Sequence, residues 1–224
     1  MVVVTYFIYF VFQSTLNMET KDYLKDIQDI KQMMAQSSRF LSLSGLSGVL
    51  AGVYCLVGAG LAYKTIYSNG YSFETYEQTV IQPEKIYNLV GIASLVVLLS
   101  LSTCILLSYK KAIKSQESFW NSTSKRLVIN FAIPLFTGGF FILFLLEKEL
   151  LMLVAPLMLI FYGLACVNAS KYTLGDIRYL GISMIVLGLL STWFLQYGLL
   201  FWSMGFGVCH ILYGGIMHFK YERN

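Results

Sequence analysis

Apolar and polar positions alternate on a coarse scale along this chain. Six long apolar runs, at 41–63, 86–109, 127–146, 150–167, 179–195 and 198–217, contain no Asp, Glu, Lys or Arg. A helix rises about 1.5 Å per residue, so roughly 20 apolar residues match a hydrocarbon core of about 30 Å. Each run therefore predicts a membrane-spanning helix, the two shortest lying near the lower limit of about 17 residues. Connections at 147–149 and 196–197 are so short that runs three and four, and runs five and six, should form antiparallel hairpins. The predicted fold is all-α: a six-span transmembrane helical bundle over 41–219, followed by a tail at 220–224.

Ahead of the spans the period changes. Within 18–40, Tyr23, Ile27, Ile30 and Met34 follow a 4-3-4 spacing and make one stripe of an amphipathic helix, with Asp22, Lys25, Asp26 and Asp29 mostly on other faces. Acids and bases are balanced there, so the helix lacks the cationic face of an anionic-lipid binder; contact with a protein partner or self-association is the favoured use. Packing against the chain's own loops is the alternative. Residues 1–17 are apolar for only about 12 positions, too short to span, and lack the basic start and cleavage site of a signal peptide. The expectation is a mis-annotated start, with translation beginning at Met18; an interfacial anchor is the alternative.

Composition agrees with the pattern: 57% hydrophobic, 12% charged, mean hydropathy +0.65, against about 25% charged in soluble domains. Charge then orients the chain. Of 16 Lys and Arg residues, thirteen fall in 18–40, 110–126, 168–178 and the tail, whereas only Lys64, Lys85 and Lys148 fall in the alternate connections. The positive-inside rule places both termini and 110–126 in the cytoplasm. Basic residues sorted by membrane side do not make a nucleic-acid patch, so the bilayer is the expected partner and nucleic acid is not. The connection 65–84 is rich in tyrosine, which fits an interfacial aromatic belt.

Candidate chemistry is sparse. The glycine-dense stretch 44–60 matches neither G-x-x-x-x-G-K-[ST] nor a G-x-G-x-x-G placed between strand and helix. Ser44, Gly48, Gly52, Cys55 and Ala59 instead recur at helical spacing and read as a helix-packing face, where small residues let backbones approach. Whether that face meets a helix of the same chain or of a second copy stays open at this level. Asn130, Pro134 and Thr137 form a local group in the third span: Pro134 cannot donate to the Asn130 carbonyl, so a kink is expected, and Pro156 is expected to do the same to Met152 in the fourth. His210 is the one ionisable side chain at depth. With Ser203 as a buried polar neighbour on its face, it is expected to be neutral and to hydrogen-bond between helices. His218 is too far along and around the helix to share a metal with it. The four cysteines form no C-x-x-C pair, and no metal or cofactor is expected.

The segments YLKDIQDIKQMM, RFLSLSGLSGVLAG and CHILYGGIMHFKYER resemble an uncharacterised family of small bacterial polytopic inner-membrane proteins, over nearly the whole chain after Met18. The resemblance implies a small multi-pass protein and carries over no catalytic residue. The expected role is an interaction or regulatory component and not an enzyme. The alternative is a small transporter or channel for an apolar or uncharged solute, using the kinked third and fourth spans.

Overall fold

A computed structural model describes residues 39–67, 83–116 and 118–222, together with Ile27 and Ile30. The chain divides into two units, Met1–Arg39 and Phe40–Asn224. In the first, Ile27 and Ile30 are helical with exposed side chains. Tyr23 and Met34, the rest of the expected stripe, lie outside the described residues, as do 1–17.

The second unit is helical, with no strand among its described residues. Its elements are α1 (Gly45–Tyr67), α2 (Pro83–Lys114), α3 (Ser122–Glu147), α4 (Val154–Ala169, entered through a 3₁₀ turn at Leu151–Leu153), α5 (Ile177–Trp193) and α6 (Leu195–Tyr221). Five of these are long and apolar enough to cross a membrane, α5 being shorter but apolar. The helices α2 and α3 run past their apolar runs at both ends, because their polar flanks continue the same hydrogen-bond ladder, and α6 opens with a 3₁₀ turn at Leu195–Tyr197 and runs on to Tyr221.

Contacts along the interfaces fix the directions. Gly45 faces Gly214 and Gly52 faces Gly207, so α1 and α6 are antiparallel. Gly181 faces Val167 and Gly188 faces Pro156, so α4 and α5 are too. Gly138 against Phe161, with Asn130 against Asn168, runs α3 against α4. Tyr54 with Thr103 and Ser44 with Ser108 does the same for α1 and α2. The most extensive pairing is α4 with α5; α2 packs chiefly on α1, and α3 chiefly on α4. Two buried clusters fill the centre, one around Leu159, Leu180 and Met184, the other around Cys166, Leu174, Ile177 and Met217.

The tight α3–α4 connection has a local cause. Leu150 N–H donates to the Leu145 carbonyl at 2.9 Å and Glu149 N–H to that of Leu146 at 3.2 Å, the paired bonds of a Schellman motif. Its left-handed position is held by Glu149, φ 58°, where glycine carries no steric penalty. Glu149→Gly is therefore expected to raise stability by about 0.5–1 kcal/mol, read as a higher melting temperature of the purified protein in detergent.

The peripheral helices present large apolar side chains outward: Leu98 is 62% exposed on α2, and Phe136 and Phe140 are 67% and 72% exposed on α3. In water such continuous faces would drive association. In a bilayer they meet acyl chains, which fits a multi-pass membrane protein.

Candidate functional site

Two glycine seams set the spacing of the central helices. A Cβ on Gly52 would stand 2.6 Å from the Gly207 carbonyl, and one on Gly48 3.2 Å from the Gly214 Cα. Cys55 and Ala59 continue this face as buried residues. Ser44 is buried but precedes the helix. Its N–H donates to Ser108 Oγ at 3.3 Å, and its carbonyl accepts from Ser47 Oγ at 2.6 Å. The second seam, Gly163 against Gly181 and Gly188 against Pro156, joins α4 to α5. It was not apparent in the sequence because its glycines are seven apart on α5 and single on α4, so no four-residue repeat announces it.

His210 lies where α6 meets α4. Residues Ser203–Cys209 of α6 form a wide π-helical turn. Gly205 there admits Leu159 and Met184: a Cβ on it would stand 2.9 Å from Met184 Sδ. His210 Nδ1 lies 3.2 Å from the Gly205 carbonyl and Nε2 lies 2.8 Å from the Tyr162 hydroxyl. A carbonyl only accepts, so Nδ1 carries a proton; in the neutral ring Nε2 then accepts from Tyr162. Both ring nitrogens are thereby used within the protein. Phe206 stacks on His210, and Phe131 meets Tyr162 edge-on. Tyr162 has no distinguishing mark in the sequence, and only the register of α4 on α6 selects it.

Ser203 does not belong to this group. Expected to be buried beside His210, it is half-buried, and its hydroxyl donates to the Leu200 carbonyl at 2.8 Å. The π-helical turn intervenes, so positions seven apart no longer share a face as they would on a regular helix.

At Pro134 the geometry has a clear acceptor account. The Asn130 carbonyl, which proline cannot serve, accepts from Asn168 Nδ2 at 2.9 Å. Asn130 Nδ2 donates to the Arg126 carbonyl and Thr137 Oγ1 to that of Ile133, each at 2.8 Å. Asn168 lies just past the apolar run and was missed for that reason. Pro156 corrects an expectation. It is the third residue of α4, within the first turn, where amides have no intrahelical acceptor in any case. It therefore opens the helix instead of bending it, and its ring is fully buried.

A second polar group ties one end of the bundle. Glu222 Oε1 accepts from the Gly45 N–H at 2.8 Å and from Lys111 Nζ at 3.1 Å, while His218 Nδ1 donates to Oε2. Lys111 Nζ also donates to the Leu43 carbonyl at 2.8 Å. The Glu222 side-chain carboxylate thus caps the start of α1, where an anion suits the exposed N–H groups. Close by in sequence, Asp176 accepts from Lys220 and from Tyr221, each at 2.9 Å. Burial pushes the Glu222 carboxyl up, but the bonds from His218, Gly45 and Lys111 outweigh it and hold it below its ordinary 4.5. Asp176 is held below its ordinary 3.8 in the same way, burial being outweighed by Lys220 and Tyr221. Because both folded-state values are depressed, the stabilisation is complete above the ordinary values and is lost as pH falls through and beneath them. The melting temperature in detergent should drop as pH is lowered from about 7 to about 3.5, with a smaller drop in Glu222→Gln.

Among the described residues no group of three or more His, Cys, Asp or Glu is placed to hold a metal ion. All four cysteines are free thiols. Comparison with protein-family models, with curated proteins and with solved structures finds no match to this chain.

Proposed function

We propose that this chain is a six-span protein of a bacterial inner membrane, with both termini in the cytoplasm, and that it works as an interaction or regulatory component. The six-span reading draws support from α5. Its 17 residues give about 26 Å of helix, and it lies antiparallel to α4 from Val167 to Pro156, matching the depth of its neighbour. The orientation draws support from the end tied by Glu222, where Lys110, Lys111, Lys114, Lys125, Arg126, Lys171, Arg178 and Lys220 also lie at helix ends or in connections. Reporter fusions test it: a phosphatase active only outside the cytoplasm should work at Asn69 and fail at Ser118. The reverse pattern overturns the topology.

The observation that carries the interaction reading is the close backbone packing along the two glycine seams. Along both glycine seams the backbones touch, at 2.6 Å from a Cβ position to the facing carbonyl, which leaves no room for an aqueous path between those helices. The transporter reading also loses its second kink, since Pro156 begins a helix. Affinity purification from mild detergent should recover a recurrent partner that is lost in Ile27→Asp/Ile30→Asp. Solute flux in liposomes holding the purified protein, with no such partner, would overturn the reading.

A further inference from the structure

Residues 40–44 form neither helix nor strand, yet Phe40, Ser42 and Ser44 are buried, and Leu41 and Leu43 pack against the cluster of Cys166, Leu174, Ile177 and Met217. Backbone groups in so enclosed a strap are shielded from water, so the protein itself must supply their partners. It does so from three separate elements. Phe40 N–H donates to the Tyr172 carbonyl at 2.7 Å, and the Phe40 carbonyl accepts from Thr173 Oγ1 at 2.7 Å, both in the α4–α5 connection. Ser44 N–H donates to Ser108 Oγ of α2 at 3.3 Å. Gly45 N–H then donates to Glu222, just past the end of α6, at 2.8 Å.

Shared groups link these bonds to one another. Lys111 Nζ lies 3.1 Å from Glu222 Oε1 and 2.8 Å from the Leu43 carbonyl, so one ammonium holds the tail and the strap at once. Glu222 in turn serves Gly45, Lys111 and His218. Between the bonds at Phe40 and those at Ser44 and Gly45 lie only Leu41, Ser42 and Leu43, so release at either end draws the same two leucines from the same cluster. A segment whose bonds and buried side chains are lost together opens cooperatively.

We infer that Phe40–Gly45 and the Glu222 carboxylate form a latch that opens as one unit, a conformational relay from the chain at Phe40 to α2 and the end of α6. Displacing the strap at Phe40 frees Lys111 and Glu222 together, and displacing Glu222 loosens Phe40. The relay stands apart from the interaction reading, because it is tested on the isolated full-length protein, whatever partner exists. The experiment is amide hydrogen exchange resolved by residue, in detergent, in the regime where exchange follows the opening equilibrium. In the wild type the Phe40, Ser44 and Gly45 amides should have protection factors equal to within about threefold and lower than that of Met184 in α5. Glu222→Ala should speed exchange by at least about tenfold at Phe40 as well as at Gly45. Thr173→Val, which removes a bond at the opposite end, should speed Gly45 as much as Phe40, since coupling between two sites is reciprocal. Met184 should exchange as in the wild type in both variants. Acceleration confined to the amide beside each substitution overturns the latch. Equal acceleration of Met184 also overturns it, by making the strap part of global unfolding. Unequal protection of the three amides in the wild type overturns it without any substitution.

Discussion

Gly52→Leu is expected to break the central seam, whereas Gly60→Leu should leave the protein as stable as the wild type. The Cβ at position 52 would lie 2.6 Å from the Gly207 carbonyl and 2.7 Å from Ile211 Cγ1, while nothing lies within 4 Å of one at position 60. A side chain in the way can rotate, but a carbonyl moves only with its helix, so relief at Gly52 requires α1 and α6 to separate along their contact. Overpacking of this kind costs about 1–3 kcal/mol where side chains adjust, and the upper end applies where backbone must shift. Leucine improves helix propensity by less than about 1 kcal/mol, which does not offset the clash. Gly48→Leu should fall between, since its nearest contact is the Gly214 Cα at 3.2 Å. Melting temperatures in detergent should therefore rank Gly52→Leu lowest, then Gly48→Leu, then Gly60→Leu with the wild type. Equal values for all three would remove close backbone contact as the basis of the bundle.

His210→Leu should destabilise the protein far more than His210→Gln. Leucine strands the Tyr162 hydroxyl and removes the donor to the Gly205 carbonyl, which lie 2.8 and 3.2 Å from the ring nitrogens. A stranded buried group costs about 1–3 kcal/mol, while hydrogen bonds between membrane helices contribute roughly 0.6 kcal/mol on average. The larger penalty applies on the α6 side because Gly205 is buried. Glutamine retains a donor and an acceptor on a flexible stem, so it keeps at least one bond. Tyr162→Phe removes the donor to Nε2, and the double variant His210→Leu/Tyr162→Phe should lose less than the two single losses combined. Additive losses would show that the pair does not act as a unit. A haem band or stoichiometric metal in the wild type that disappears in His210→Gln would replace this structural role with a cofactor site.

These expectations draw on two kinds of information. That glycines near position 50 make a packing face, and that a lone histidine at depth needs internal partners, follows from residue type and local spacing. The partners themselves do not. Tyr162 lies 48 residues from His210, Asn168 lies 38 from Asn130, and Glu222 lies 177 from Gly45. No local period links residues so far apart. The widened turn at Ser203–Cys209 is likewise silent in the sequence: its glycines permit it, but what fills the space they leave is Leu159 and Met184 from other helices.

The sequence by itself determined the helical class, the apolar runs and the sorting of Lys and Arg, because each depends on transfer between water and lipid, a property residues carry one at a time. It also marked the α1 face, where small residues recur every turn. The short connection at 147–149 already paired α3 with α4; tertiary structure decided that α1 lies on α6 and α4 on α5. It placed Pro156 in the first turn of α4, gave the Asn130 carbonyl freed by Pro134 a donor in Asn168, set Ser203 apart from His210, and brought the Glu222 carboxylate back to cap α1. Those outcomes depend on the register between helices, which arises from side-chain shapes meeting across an interface and is written in no single segment.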